Sequence, residues 1–273
     1  MISELCIWDM ATRAARVLMS HEGHIEAPNW HQDGYLIVNG DGLIYRVPLA
    51  DPRLERIDTG FAIGCNNDHG ISPDGTLLAI SDSIETGQSC IYVLPIGGGT
   101  PRRVTEHTPS WWHAWTPDGQ RMVYPGARGD RVLRLYSCAV DGSDEQLIVE
   151  GFDHVDGPDL TPDGAWIWFN GERDGTVELW RVRPDGSGLK QMTDDEAINW
   201  FPHPSPDGRH VLYLAYPTGT QGHPGNLEVS LRLMPQDGGP TTWLCDLFGG
   251  QGTMNVPCWS PDGNAFAFMR YRA

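Results

Sequence analysis

Apolar residues in this chain fall in short runs of about four to six, each closed by glycine, proline or aspartate. After Gly75 the runs cover 77–80 and 90–94, followed by a Gly97-Gly98-Gly99 turn and then 102–105. After Gly164 the same order returns: 166–169, 177–182, an Asp185-Gly186-Ser187-Gly188 turn, then 189–193. Runs this short, rich in β-branched and aromatic residues and bounded by turn formers, predict strands joined by hairpins. Counting the strand ahead of each turn, the pattern predicts four antiparallel strands per repeat.

The repeat carries a signature. Ser72-Pro73-Asp74-Gly75, Thr116-Pro117-Asp118-Gly119, Thr161-Pro162-Asp163-Gly164, Ser205-Pro206-Asp207-Gly208 and Ser260-Pro261-Asp262-Gly263 share one form, and His31-Gln32-Asp33-Gly34 is a degenerate sixth copy. Proline presets φ, aspartate bonds nearby amides, and glycine accepts a positive φ, so each is a turn. Successive aspartates lie 41, 44, 45, 44 and 55 residues apart, the spacing of propeller blades. From Asp262 through the C-terminus and on from Met1 to Asp33 is again 44 residues. The predicted fold is all-β: one six-bladed β-propeller whose last blade combines both termini, which leaves no open edge. Blades are expected at about 26–62, 66–108, 111–151, 156–196, 200–250, and 255–273 plus 3–21. An amphipathic helix over 4–19 is the competing arrangement.

Composition narrows the function classes. Nineteen basic against 36 acidic residues give net −17, with Lys190 the one lysine. That surface repels phosphate backbones, so nucleic acid is excluded as a partner. No apolar run approaches the roughly 20 residues of a membrane helix, so no membrane insertion is expected. Residues 1–9 lack the basic start and apolar stretch of a signal peptide. Cys6, Cys65, Cys90, Cys138, Cys245 and Cys258 are scattered singly, which reads as free thiols in a reducing cytoplasm.

The repeated [Ser/Thr]-Pro-Asp-Gly turn after a Trp-containing strand resembles the WD40-like (PD40) repeats of the TolB β-propeller family, over essentially the whole chain. The resemblance implies the fold and a recognition role. TolB itself is a periplasmic Tol–Pal component, with a signal peptide and an N-terminal α/β domain before its propeller. Neither is expected here, so the architecture is expected to carry over and the role in outer-membrane integrity is not.

Propeller geometry places the Pro-Asp-Gly turns on one face and the loops entering each innermost strand on the other. Those entering loops, at the top mouth, concentrate the chemistry. They carry Glu26, Cys65-Asn66-Asn67-Asp68, Trp111-Trp112-His113, Asp156, Trp200-Phe201, and Gln251 through Asn255. Aromatic faces beside Asn, Asp and His suit a hydroxyl-rich ligand. Asn66, Asn67, Trp111, Trp112, Trp200, Phe201, Gln251 and Asn255 are the candidate ligand contacts. Trp111, Trp112 and Trp200 serve equally as loop packing on sequence grounds. Histidines gather there too: His24, His69, His113, His154, His203 and His223. His69 and His113 share one register, five before the motif aspartate. With His203 they are the candidate ligands for one divalent metal ion. Nucleophile-elbow, phosphate-loop and dinucleotide signatures are absent.

Two functions fit. The leading one is recognition of a carbohydrate-like small molecule, or a protein partner, at the top mouth. The alternative is a carbohydrate-active lyase or hydrolase, metal-assisted, acting on a sugar or uronide. In it His69, His113, Asp68, Asp156 and Glu26 are the catalytic candidates.

Overall fold

The structure, a computed structural model, describes residues 1–272. Five consecutive four-stranded antiparallel sheets follow the sequence order. Their innermost strands are Glu26–His31, Cys65–Ile71, Ala114–Trp115, His154–Leu160 and Ile198–Pro204. The sixth blade joins the two ends of the chain. Ile2–Asp9 pairs with Ala14–Glu22 on the outside, Ala265–Arg272 lies inside them, and Trp259 bridges to Phe266 at the centre. The result is a six-bladed β-propeller. Residues 4–19 form a hairpin, not the competing helix, and no helix occurs among the described residues. None therefore is long and apolar enough to cross a membrane.

The five full motifs repeat one hydrogen-bond geometry. The Ser or Thr hydroxyl donates to the aspartate Oδ1 at 2.6 Å in each. The amide two residues beyond the aspartate donates to the same oxygen at 3.0 Å. Glycine after the aspartate takes φ between 68° and 75° in all five, a conformation costly for any residue with a Cβ. These aspartates are structural turns, which explains why they recur.

Contacts between blades come from the strand just before the motif. Trp115 Nε1 donates to the Gly70 carbonyl at 3.3 Å, and Trp259 Nε1 to the His203 carbonyl at 3.0 Å. Burying an indole with its N–H satisfied across a blade boundary adds apolar area without an orphaned donor. Gly70 also lets the neighbouring blade approach: a Cβ there would sit 1.8 Å from the Trp112 ring.

A carboxylate and an aromatic pair help to tie the closing seam. Glu4, buried in the N-terminal strand, accepts Arg270 Nε and Arg272 Nη2, each at 2.6 Å, from the C-terminal strand. Trp8 stacks on Phe266 across the same seam, with ring centroids 6.1 Å apart. Replacing Glu4 by Gln leaves two guanidiniums without their anion and is expected to cost about 1–3 kcal/mol. Urea unfolding would read this. Arg209→Gln, which touches only an exposed ion pair, should stay within about 0.5 kcal/mol of wild type.

Candidate functional site

Four innermost strands carry a register break near the top of the channel. The breaks fall at Glu26/Asn29, Cys65/His69, Asp156/Asp159 and Trp200/His203. At three of them Ala27, Gly157 and Phe201 hold positive φ, between 54° and 57°. A bulge inserts an extra residue and re-aims its neighbours. Consecutive residues such as Asn66, Asn67 and Asp68 thus reach the channel, which simple strand alternation would forbid.

These residues line a cavity of about 460 Å³ at the top mouth. Of the residues expected from sequence, Glu26, Asn66, Asn67, Asp68, Trp111, Asp156, Gln251 and Asn255 are on its wall. His24, Leu133, His154 and His223 complete it. The opposite end of the channel is a separate recess of about 290 Å³, bounded by turn residues such as Pro73, Pro162, Pro206 and Pro261.

The remaining expected residues are placed differently. Trp112, Trp200 and Phe201 are at most 1% exposed. Trp112 fills the space over Gly70, while Trp200 only borders a side recess beside His223. They support the site from beneath, as their size and apolarity dictate, and do not form its surface. His69 is fully buried, and neither ring nitrogen has a hydrogen-bond partner. Burial lowers its pKa to about 4, so it stays neutral. His203 is also buried, with Nδ1 2.9 Å from Asp159 Oδ2 and Nε2 2.8 Å from the Met254 carbonyl. Both of its nitrogens are already engaged. His69, His113 and His203 therefore do not form a ligand set. Among the described residues no three His, Cys, Asp or Glu side chains are arranged around a cation position.

His113 takes another role. Its Nε2 lies 3.0 Å from Asp156 Oδ1 and 3.5 Å from Asp68 Oδ1, all three side chains being nearly buried. Burial opposes charge on the imidazole, but the two carboxylates outweigh it and raise its pKa. Burial would also raise Asp156; its contact with His113 instead holds it well below the usual carboxylate range. The Gly157 amide donates to the same Asp156 oxygen at 2.8 Å. Asp68 goes the other way. Burial, helped by the Asp156 charge, pushes it up to about 7 against the pull of His113. Two carboxylates on one imidazole are thus driven apart, one kept ionised and one kept near neutrality.

Glu26 sits across the cavity, accepting Asn39 Nδ2 at 3.1 Å and Asn67 Nδ2 at 3.4 Å. His24 Nε2 lies 3.2 Å from it, and that hydrogen bond raises the His24 pKa. His223 comes from the long loop of the fifth blade. Its ring packs tilted against Trp200, centroids 4.4 Å apart, and its Nε2 lies 3.5 Å from Asp156 Oδ2.

A pH dependence follows. Asp68 holds its proton in the folded chain up to about 7 but releases it near 4 when unfolded. The unfolded state therefore binds fewer protons between those values, and stability falls as pH rises through this window. Asp68→Asn removes the penalty. It is expected to stabilise the protein by up to about 4 kcal/mol at pH 8.5 and by little at pH 4. Urea unfolding at the two pH values checks it.

No family model matches the chain. An uncharacterised protein of Agrobacterium fabrum (strain C58) is 51% identical over 273 residues, spanning 99% of this chain and 93% of that one. A solved structure assigned to TolB from Agrobacterium tumefaciens matches with TM-score 0.97 at 50% identity, covering 99% of this chain and 98% of that one. TolB from Acinetobacter baumannii gives TM-score 0.68 at 20% identity, over 87% of this chain and 61% of that one. An oligogalacturonate lyase in complex with manganese gives 0.59 at 13% identity, over 96% and 70%. The last two likenesses establish a common fold alone. With half its residues shared with the Agrobacterium propeller over nearly the full length of both, the chain belongs to the TolB-like β-propeller family.

Proposed function

We propose that this propeller recognises a small, hydroxyl-rich, carbohydrate-like ligand in the top cavity. The observation that carries the reading is a pair of partnerless polar atoms on the wall. His154 Nε2 and His223 Nδ1 are buried without a hydrogen bond, although both side chains line the cavity. A buried polar atom without a partner is costly, so a site that holds several awaits one. Glu26 is paired with His24, and Asp156 with His113. What the wall offers is a mixture of donors and acceptors from Asn66, Asn67, Gln251 and Asn255, plus the half-exposed Trp111 face. That mixture suits hydroxyl groups around an apolar ring face. Six free thiols, five of them buried, support a reducing compartment such as the cytoplasm. In titration calorimetry against a panel of neutral and acidic sugars, Trp111→Ala and Asn67→Ala should each weaken binding about tenfold with unchanged unfolding midpoints. Full affinity in both variants would remove this site.

A second reading, acid–base catalysis on the same ligand, is favoured by the split between Asp68 and Asp156. Asp68, near neutrality, is suited to donate a proton, and ionised Asp156 to stabilise positive charge developing on the ligand. A general acid must be protonated, so turnover on a sugar or uronide substrate would fall as pH rises through about 7. Asp68→Asn would lower kcat at least 100-fold while leaving KM within a few-fold. Unchanged turnover in that variant would leave recognition as the sole role.

A further inference from the structure

The wall of the top cavity holds three carboxylates, Glu26, Asp68 and Asp156, and no lysine or arginine. Acids taken out of solvent elsewhere in the ring have arginines: Glu4 has Arg270 and Arg272, and Glu145 has Arg128. Among the described residues, the three at the mouth pair with histidines alone. That leaves negative charge over. His113 is one imidazole facing two carboxylates, at 3.0 Å and 3.5 Å, so a single positive charge answers two acids. His24, which answers Glu26, is 43% exposed and shares itself with solvent.

The hydrogen bonds are unbalanced in the same direction. Asn66 Nδ2 already donates to Asp68 Oδ2, and Asn67 Nδ2 to Glu26 Oε2 at 3.4 Å. His223 adds an acceptor. Burial lowers its pKa and keeps the ring neutral, and its Nε2 faces Asp156 Oδ2 at 3.5 Å, so the ring proton belongs on that nitrogen. Nδ1 is then a bare acceptor, and it is buried without a partner. Trp111 supplies the apolar surface. Trp166 and Trp180 carry arginine guanidiniums 4.4–4.8 Å from their rings, whereas among the described residues no cation covers Trp111. Acceptors with surplus negative charge beside an uncovered indole are complementary to an ammonium, which has three donors, one positive charge and no acceptor.

Resting on the carbohydrate-like reading of this cavity, we propose that its ligand is an amino sugar bound through a free, protonated amine. The ammonium faces Asp68, Asp156 and His223 Nδ1, and the sugar ring lies against Trp111.

Titration calorimetry at pH 7 tests this with hexosamines of gluco, galacto and manno configuration, each beside its parent hexose and its N-acetyl derivative. At least one hexosamine is expected to bind about tenfold tighter than both of its counterparts. Asp68→Asn and His223→Phe should each lower that ratio by about threefold or more. The first is expected to stabilise the fold, and the second keeps a ring against Trp200, so unfolding cannot imitate the loss. Asp237→Asn removes an exposed carboxylate outside the cavity. It should leave the ratio unchanged, which separates the cavity from the net charge of −17. Equal binding of hexosamine and hexose, equal binding of the N-acetyl form, or a preference that survives both cavity variants overturns the inference. If a parent hexose binds and Trp111→Ala weakens it with no preference for the amine, the inference falls and the recognition site stands. If no compound binds, both fall.

Discussion

A propeller is stable as a ring because each blade buries its two faces against its neighbours, and that arrangement fails if one junction is left open. Here the vulnerable junction is between the first and last strands of the chain, which have no covalent continuity to hold them. Glu4 answers it by taking two arginines from the C-terminal strand, and Trp8 stacks on Phe266 beside them. Within each blade the turn motif fixes the hairpin, and Trp115 and Trp259 bond across blade boundaries. With the ring closed, the six innermost strands have fixed radii, and the channel becomes a rigid frame for side chains.

The chemistry of the mouth depends on that frame in a second way. Regular strands alternate their side chains, so a channel lined by unbroken strands would receive every other residue. The bulges at Glu26, Asn66–Asp68, Asp156 and Trp200 break the alternation where blades converge. They gather polar groups whose burial the ring then enforces. This explains how His113 is held between Asp68 and Asp156, and why the two acids titrate so differently. Burying Asp68 therefore opposes stability near neutral pH.

Burial also separates the aromatic residues by task. Trp112 and Trp200 are interior, closing the space between blades, whereas Trp111 keeps a face toward the mouth. Three adjacent positions thus divide between support, surface and charge: Trp112, Trp111 and His113. Leu133, Arg131, Glu172 and His223 reach the same face from the hairpins between second and third strands.

The amino-acid sequence alone determined the number of blades, the joining of the termini, and the face that carries the polar mouth. These are legible because turn chemistry is local: a Pro-Asp-Gly signature every 44 residues or so reports its own geometry wherever it occurs. Position along the innermost strand likewise placed Glu26, Asp68, Asp156, Asn67 and Trp111 at the cavity. Tertiary structure alone decided which of two adjacent tryptophans is exposed, since that depends on Gly70 in the neighbouring blade. It also decided that His69 and His113 have different partners although they share one register: His113 meets Asp68 and Asp156, while His69 is buried without a hydrogen bond. Arg131 and Leu133 were hidden for a related reason. Their hairpin carries no repeated signature, and its place beside the mouth arises from distances between blades. Such distances are set by packing across the ring, and no single repeat encodes them.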